Sequence, residues 1–182
     1  HLIDKLDLNE LSKYIDWTPF FLAWELHGRF PKILKDKVVG QEATNLYADA
    51  TVMLKKIINE GWIEAKAVYG FWKANSSLKD EINIYDSENK LIAISQSLRQ
   101  QNKKAQGASN ISLSDYIAPE ESNKEDYLGA FAVTAGLKIE KKIAKFEEDL
   151  DDYNSILLKA LADRLAEAAA EYLHEKVRKE YW

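Results

Sequence analysis

The last 32 residues, Asp151 to Trp182 (DDYNSILLKALADRLAEAAAEYLHEKVRKEYW), constrain this chain most. The stretch has no Pro and no Gly and is rich in Ala, Leu, Glu, Lys and Arg, which lose little freedom in a helix. Leu158, Leu161, Leu165, Ala168, Ala169 and Tyr172 recur at three- and four-residue steps, the spacing of one buried helical stripe. Ala160, Asp163, Ala170 and His174 fall on the opposite side, with Glu167 between them. Asp163 and Glu167 are four apart, so their carboxylates sit one turn above each other. That spacing leaves two readings open. One is a solvated outer face; the other is a site where small alanines beside two acids admit a ligand close to the backbone.

The rest of the chain supplies partners for that helix. Asp16-Trp17-Thr18-Pro19-Phe20-Phe21-Leu22-Ala23-Trp24 is the densest aromatic stretch. Pro19 is tolerable only in a first helical turn, which makes Asp16 the N-cap candidate. The residues leave open whether Asp16 only caps or also points into a pocket, while Phe20, Phe21 and Trp24 are assigned to packing. Gly40 to Gly61 reads as the second long helix, with a stripe through Ala43, Leu46, Tyr47, Ala50, Met53, Leu54, Ile57 and Ile58. Gly61 stands where a helix-ending glycine belongs. Leu2 to Tyr14 reads as a linker with a short helical lead-in.

The period then changes. Ala65 to Trp72 is rich in β-formers, and Gly70 marks a bulge or a close approach. Asn75-Ser76-Ser77 reads as a turn. Glu81 to Tyr85 alternates strictly, and Leu91 to Ile94 returns as the next strand. Tyr127 to Val133 is an apolar run of strand length, ended by Thr134-Ala135-Gly136. A helix is expected over Ile139 to Leu150, with Ile143 and Phe146 inward. The acids Glu147, Glu148, Asp149, Asp151 and Asp152 read as a solvated helix end, because they lack the ligand alternation and turn glycine of a calcium loop. The fold expected is α+β: a twisted antiparallel sheet from Ala65 to Ile94 plus Tyr127 to Val133, flanked by helices near Gly40 to Glu60 and Asp151 to Lys179.

Composition narrows the function. The 182 residues suit one domain or a piece of a larger one, and 46% hydrophobic residues are ample for a core. There is no Cys, which excludes a disulfide framework and a thiolate metal site. The net charge of −5 argues against a nucleic-acid partner. The apolar runs are too short for a membrane span and the start has no signal-peptide pattern, so a soluble cytoplasmic protein is expected. No phosphate loop, His-Glu-x-x-His or nucleophile elbow occurs, and no catalytic or metal-ligating residue is assigned.

Several stretches together carry a family resemblance: IDWTPFF (Ile15 to Phe21), Val38-Val39-Gly40, LRQQ (Leu98 to Gln101), DYIAP (Asp115 to Pro119), DYLGAFAVT (Asp126 to Thr134) and the closing helix. In this order they resemble the C-terminal activation domain of cobalamin-dependent methionine synthase, over nearly the whole chain. The resemblance implies binding of S-adenosylmethionine and docking over a cobalamin-binding domain of the same enzyme. It also implies one-electron reduction by a flavodoxin or flavoprotein reductase, and return of oxidised cobalamin to its methylated form. The parent reaction moves a methyl group from 5-methyltetrahydrofolate to homocysteine through cobalamin, which a separate domain carries.

By the same resemblance Asp16 matches the acid that pairs with the amino group of S-adenosylmethionine, Glu167 matches a second acid of that site, and Asp163 lies at the surface that meets the cobalamin-binding domain. The family's Arg-x-x-x-Gly-Tyr motif has no match in this chain, which is expected to be truncated within the domain. Weakened ligand binding is therefore expected. The alternative is a non-catalytic docking module for a cobalamin-binding domain or a flavoprotein reductase.

Overall fold

The computed structural model describes residues 1–181, and the chain divides into two compact units. The first comprises residues 1–68 with the chain from 132 onward; the second comprises residues 69–131. In chain order the elements are β1 (Leu2–Ile3), α1 (Leu8–Ser12), α2 (Trp17–Ala23), α3 (Gly40–Glu60), β2 (Glu64–Ser76), β3 (Glu81–Tyr85), β4 (Leu91–Gln96), β5 (Tyr127–Leu137), α4 (Glu140–Glu148) and α5 (Asp152–Lys176). The class is α+β, and the order of strands is β1-β2-β3-β4, with β5 also paired to β2. The assigned pairs β1–β2, β2–β3 and β3–β4 are all antiparallel.

The helical unit is built on α5. Leu157, Leu158, Leu161, Leu165, Ala168, Ala169 and Leu173 are each 1% exposed or less. This face packs against α1, α2, α3 and α4. On α3 the stripe residues Ala43, Leu46, Ala50, Met53, Leu54 and Ile57 are buried, Tyr47 and Ile58 are half-buried, and Gly61 ends that helix at φ 64°, where a side chain would be strained. Asp151 caps α5 by accepting from the Asn154 N–H and side-chain amide. Trp24 meets Tyr153 edge-on, and the Tyr153 hydroxyl donates to Asp49 at 2.8 Å.

In the second unit polar side chains do the fastening. Arg99 of LRQQ donates to Asp80, to both carboxylate oxygens of Asp115 and to the Asn110 carbonyl. Asp115 of DYIAP also accepts from the Ser112 N–H, which completes a capping box. Arg99 beside it, with that N–H, lowers the Asp115 carboxyl to about 2. Gly70 is a close approach, because a Cβ there would stand 2.5 Å from the Trp72 ring.

Four local expectations change. Leu2–Ile3 is a strand rather than linker, because it has the exposed edge of β2 to pair with, opposite Val68 and Ala67. Asn75 and Ser76 belong to β2 instead of a turn. Their side chains donate to the carbonyls of Ala118, Lys124 and Ile117, so their polarity serves the neighbouring segment. β5 runs through Thr134-Ala135-Gly136 to Leu137, with Gly136 at φ 122° inside the strand. Ile143 and Phe146 of α4 are only half-buried, Phe146 standing edge-on to Trp62.

Two outcomes follow from this packing. Leu165→Ala leaves a cavity at a fully buried position and should lower unfolding free energy by about 2–5 kcal/mol, measured by denaturant titration. Asp115 is depressed in the fold, so its contribution is present above the ordinary carboxyl value of 3.8 and is lost as pH falls toward about 2. The melting temperature should therefore drop over that window, and Arg99→Gln should flatten the drop; equal slopes would show that the pair does not set acid stability.

Candidate functional site

The three residues singled out from sequence fall on the exposed side of α5 and at the start of α2, both in the helical unit. Asp16 takes an extended backbone (φ −79°, ψ 113°) and its carboxylate accepts from the Thr18 N–H at 2.9 Å, so it is the N-cap of α2. The residue itself remains exposed, and behind it Phe20 and Phe21 are buried. The capping interaction occupies part of the carboxylate's acceptor capacity and leaves the rest facing solvent.

Asp163 and Glu167 do stand together, and the residue between them joins them. The Arg164 guanidinium donates from Nη1 to Glu167 Oε2 at 2.9 Å and from Nη2 to Glu167 Oε1 at 3.0 Å. Nη2 also donates to Asp163 Oδ2. The Arg164 side chain is 11% exposed, whereas those of Asp163 and Glu167 are 67% and 63% exposed. The two carboxylates hold the arginine's pKa above its ordinary value, against the effect of burial, so it stays charged. Sequence reading missed Arg164; the available signal was an arginine one residue after one acid and three before the other.

Tyr14 packs edge-on against Tyr172, and Trp24 against Tyr153, so the segment from Tyr14 to Trp24 runs antiparallel to α5. Asp16 is two residues from Tyr14, whose ring meets Tyr172 in the second half of α5. Glu167 lies about 140° round the helix from Tyr172.

A cleft of about 430 Å³ lies at that end, lined by Tyr14, Glu171, His174, Glu175, Arg178 and Lys179 and by none of the three sequence-predicted residues. Glu175, hydrogen-bonded to the Tyr14 hydroxyl, raises the Tyr14 pKa, and Lys179 pairs with Glu175. Among the described residues there is no group of three or more His, Cys, Asp or Glu placed to hold a metal. Nor is any helix there long and apolar enough to cross a membrane.

Comparison with known proteins agrees with the motifs. The model of the family described as "Vitamin B12 dependent methionine synthase, activation domain" matches residues 7–182. A solved structure described as "Crystal Structure of the MetH Reactivation Domain bound to AdoHcy" is 49% identical, with a TM-score of 0.91. The match covers 100% of this chain and 56% of that one, so the chain spans a little over half the length of this neighbour.

The cap that Asp16 gives α2 needs an acceptor oxygen rather than a charge. Asn caps a helix as well as Asp, so Asp16→Asn should leave the melting temperature nearly unchanged, while Asp16→Ala should cost about 1 kcal/mol. Thermal unfolding of both variants checks this, and equal losses would mean that the charge itself supports the fold.

Proposed function

The chain belongs to the activation-domain family of vitamin B12 dependent methionine synthases, and we propose that it binds S-adenosylmethionine and supports reductive methylation of a cobalamin carried on a separate domain. The observation that carries this reading is a neighbour 49% identical over the whole chain and described as bound to AdoHcy. When bound, S-adenosylmethionine would supply the methyl group, leaving as S-adenosylhomocysteine, and the cobalamin on its separate domain, reduced by one electron from a flavodoxin or flavoprotein reductase, would supply the acceptor.

The residues present suit the ligand's cationic end. S-adenosylmethionine carries an ammonium and a sulfonium, and exposed carboxylates already oriented by other bonds suit such groups. Asp16 is oriented by the Thr18 N–H and Glu167 by Arg164. In this reading one acid pairs with the ammonium and the other fixes the polar end from its own flank, so that the methyl group faces outward. Arg164 is committed to the two acids, so the ligand's carboxylate needs donors other than this arginine. Asp163, more exposed than its neighbour, meets the cobalamin-binding domain. The part of such a site is orientation, the reactive groups belonging to the cofactors. Synthesis of methionine, in the cytoplasm, is the pathway this reading implies.

The exposure of Asp163 also favours a second reading, a docking module that takes no ligand. Calorimetric titration with AdoMet and AdoHcy separates the two. Asp16→Asn and Glu167→Gln should each weaken binding roughly tenfold or more, since each leaves a cationic group without its partner. Asp163→Asn should affect ligand affinity less and should weaken association with a separately supplied cobalamin-binding domain. If AdoHcy is bound equally by the wild type and both acid variants, the ligand site has been misplaced; if nothing binds, the docking reading stands.

A further inference from the structure

Arg164 occupies an unusual position among the ion pairs of α5. Its side chain is 11% exposed, yet every hydrogen bond recorded for its guanidinium goes to a carboxylate that is mostly solvent-facing. The contact with Glu167 is bidentate, and Nη2 reaches Asp163 as well. One cation is thus shared by two anions, which leaves the trio with a single net negative charge. A partly buried guanidinium whose stem lies along the helix is a fixed fork, while a glutamate standing alone on a helix surface samples many rotamers.

We propose that Arg164 is a positioning residue of the S-adenosylmethionine site: its fork holds the Glu167 carboxylate in the one orientation that meets the ligand's polar, cationic end. This rests on the reading of Glu167 given above. Both Glu167 oxygens accept from Arg164 through one lone-pair direction each, and the remaining directions face solvent. The rotamer freedom that ligand binding would otherwise remove from Glu167 is already gone, so the free-energy cost of ordering the site is lowered. Asp163 accepts from Nη2 as well, and this second anchor keeps the guanidinium from swinging away when a second cation approaches Glu167.

Charge alone predicts the opposite sign. A cation beside the site repels a cationic ligand, so an Arg164 acting only through its charge would oppose binding, and its removal would tighten it. The effect would be larger for AdoMet, which is net positive, than for AdoHcy, which is net neutral. A positioning role predicts that removal weakens both ligands alike. It also predicts that lysine, which keeps the charge but cannot fork, fails to restore affinity.

Wild type, Arg164→Lys, Arg164→Met and Glu167→Gln are titrated with AdoMet and AdoHcy by calorimetry, with circular dichroism to confirm the fold. Arg164→Met keeps the apolar stem, and Arg164→Lys carries the test if the methionine variant is unstable. Both arginine variants should bind each ligand about tenfold more weakly, the loss of a bidentate charge-assisted contact. In the ligand-free protein, carbon relaxation at the Glu167 side chain should show new mobility in Arg164→Lys while the backbone amides of α5 stay unchanged, a difference that a purely structural arginine would not produce. Affinities within twofold of wild type, or tighter AdoMet binding in Arg164→Met, overturn the proposal while leaving the site reading intact. Binding that is lost in neither the wild type nor Glu167→Gln, or absent from the wild type at millimolar AdoHcy, overturns the site reading and the proposal with it.

Discussion

Burial of the α5 stripe is the interaction on which the helical unit depends. Seven residues between Leu157 and Leu173 are essentially inaccessible, and four other helices pack against α5. At about 25 cal/mol per Å² of apolar surface, each buried leucine contributes on the order of 1.5–3 kcal/mol, which no exposed ion pair in the unit approaches. That asymmetry frees the opposite face: Asp163, Arg164 and Glu167 can serve a ligand or a partner because the helix they stand on is fixed from behind.

The helix, its stripe and the acids one turn apart were legible from sequence, because a 3.6-residue period and the propensities of Ala and Leu agree over the whole stretch. The cap at Asp16 was legible for a similar reason, since Pro19 admits only one placement of the first turn. What sequence did not give is local and has physical causes. β1 has two residues and so no period to detect, and it exists because β2 offers it an edge. Asn75 and Ser76 look like turn formers, yet they lie in β2 because their side chains find carbonyl acceptors 41 to 49 residues away in sequence. The fork of Arg164 was hidden by its composition, which on a helix surface reads as an ordinary solvated charge pattern.

The second unit is held differently. Its strand β4 is exposed along its whole length, and the motifs LRQQ and DYIAP, which look like binding signatures, meet in an ion pair. Arg99 ties together Asp80, Asp115 and the Asn110 carbonyl, residues spread over 36 positions. A guanidinium suits that task because its planar donors reach three partners in different directions at once. A distinctive motif can therefore mark a fastening as well as a contact with ligand, and only the geometry tells them apart.

The two arginines make the point together. Arg99 and Arg164 each serve two carboxylates, with similar distances. Arg99 draws in the Asn110 carbonyl, and Asp115 is itself committed to a backbone N–H, so all the groups are spent on holding chain segments in place. Among the described residues Arg164 donates to Asp163 and Glu167, neighbours on a helix that would form without them. An ion pair that closes no loop adds little to the fold. What it does fix is the direction in which two exposed acids face, and direction is the property a site for a small cationic ligand needs.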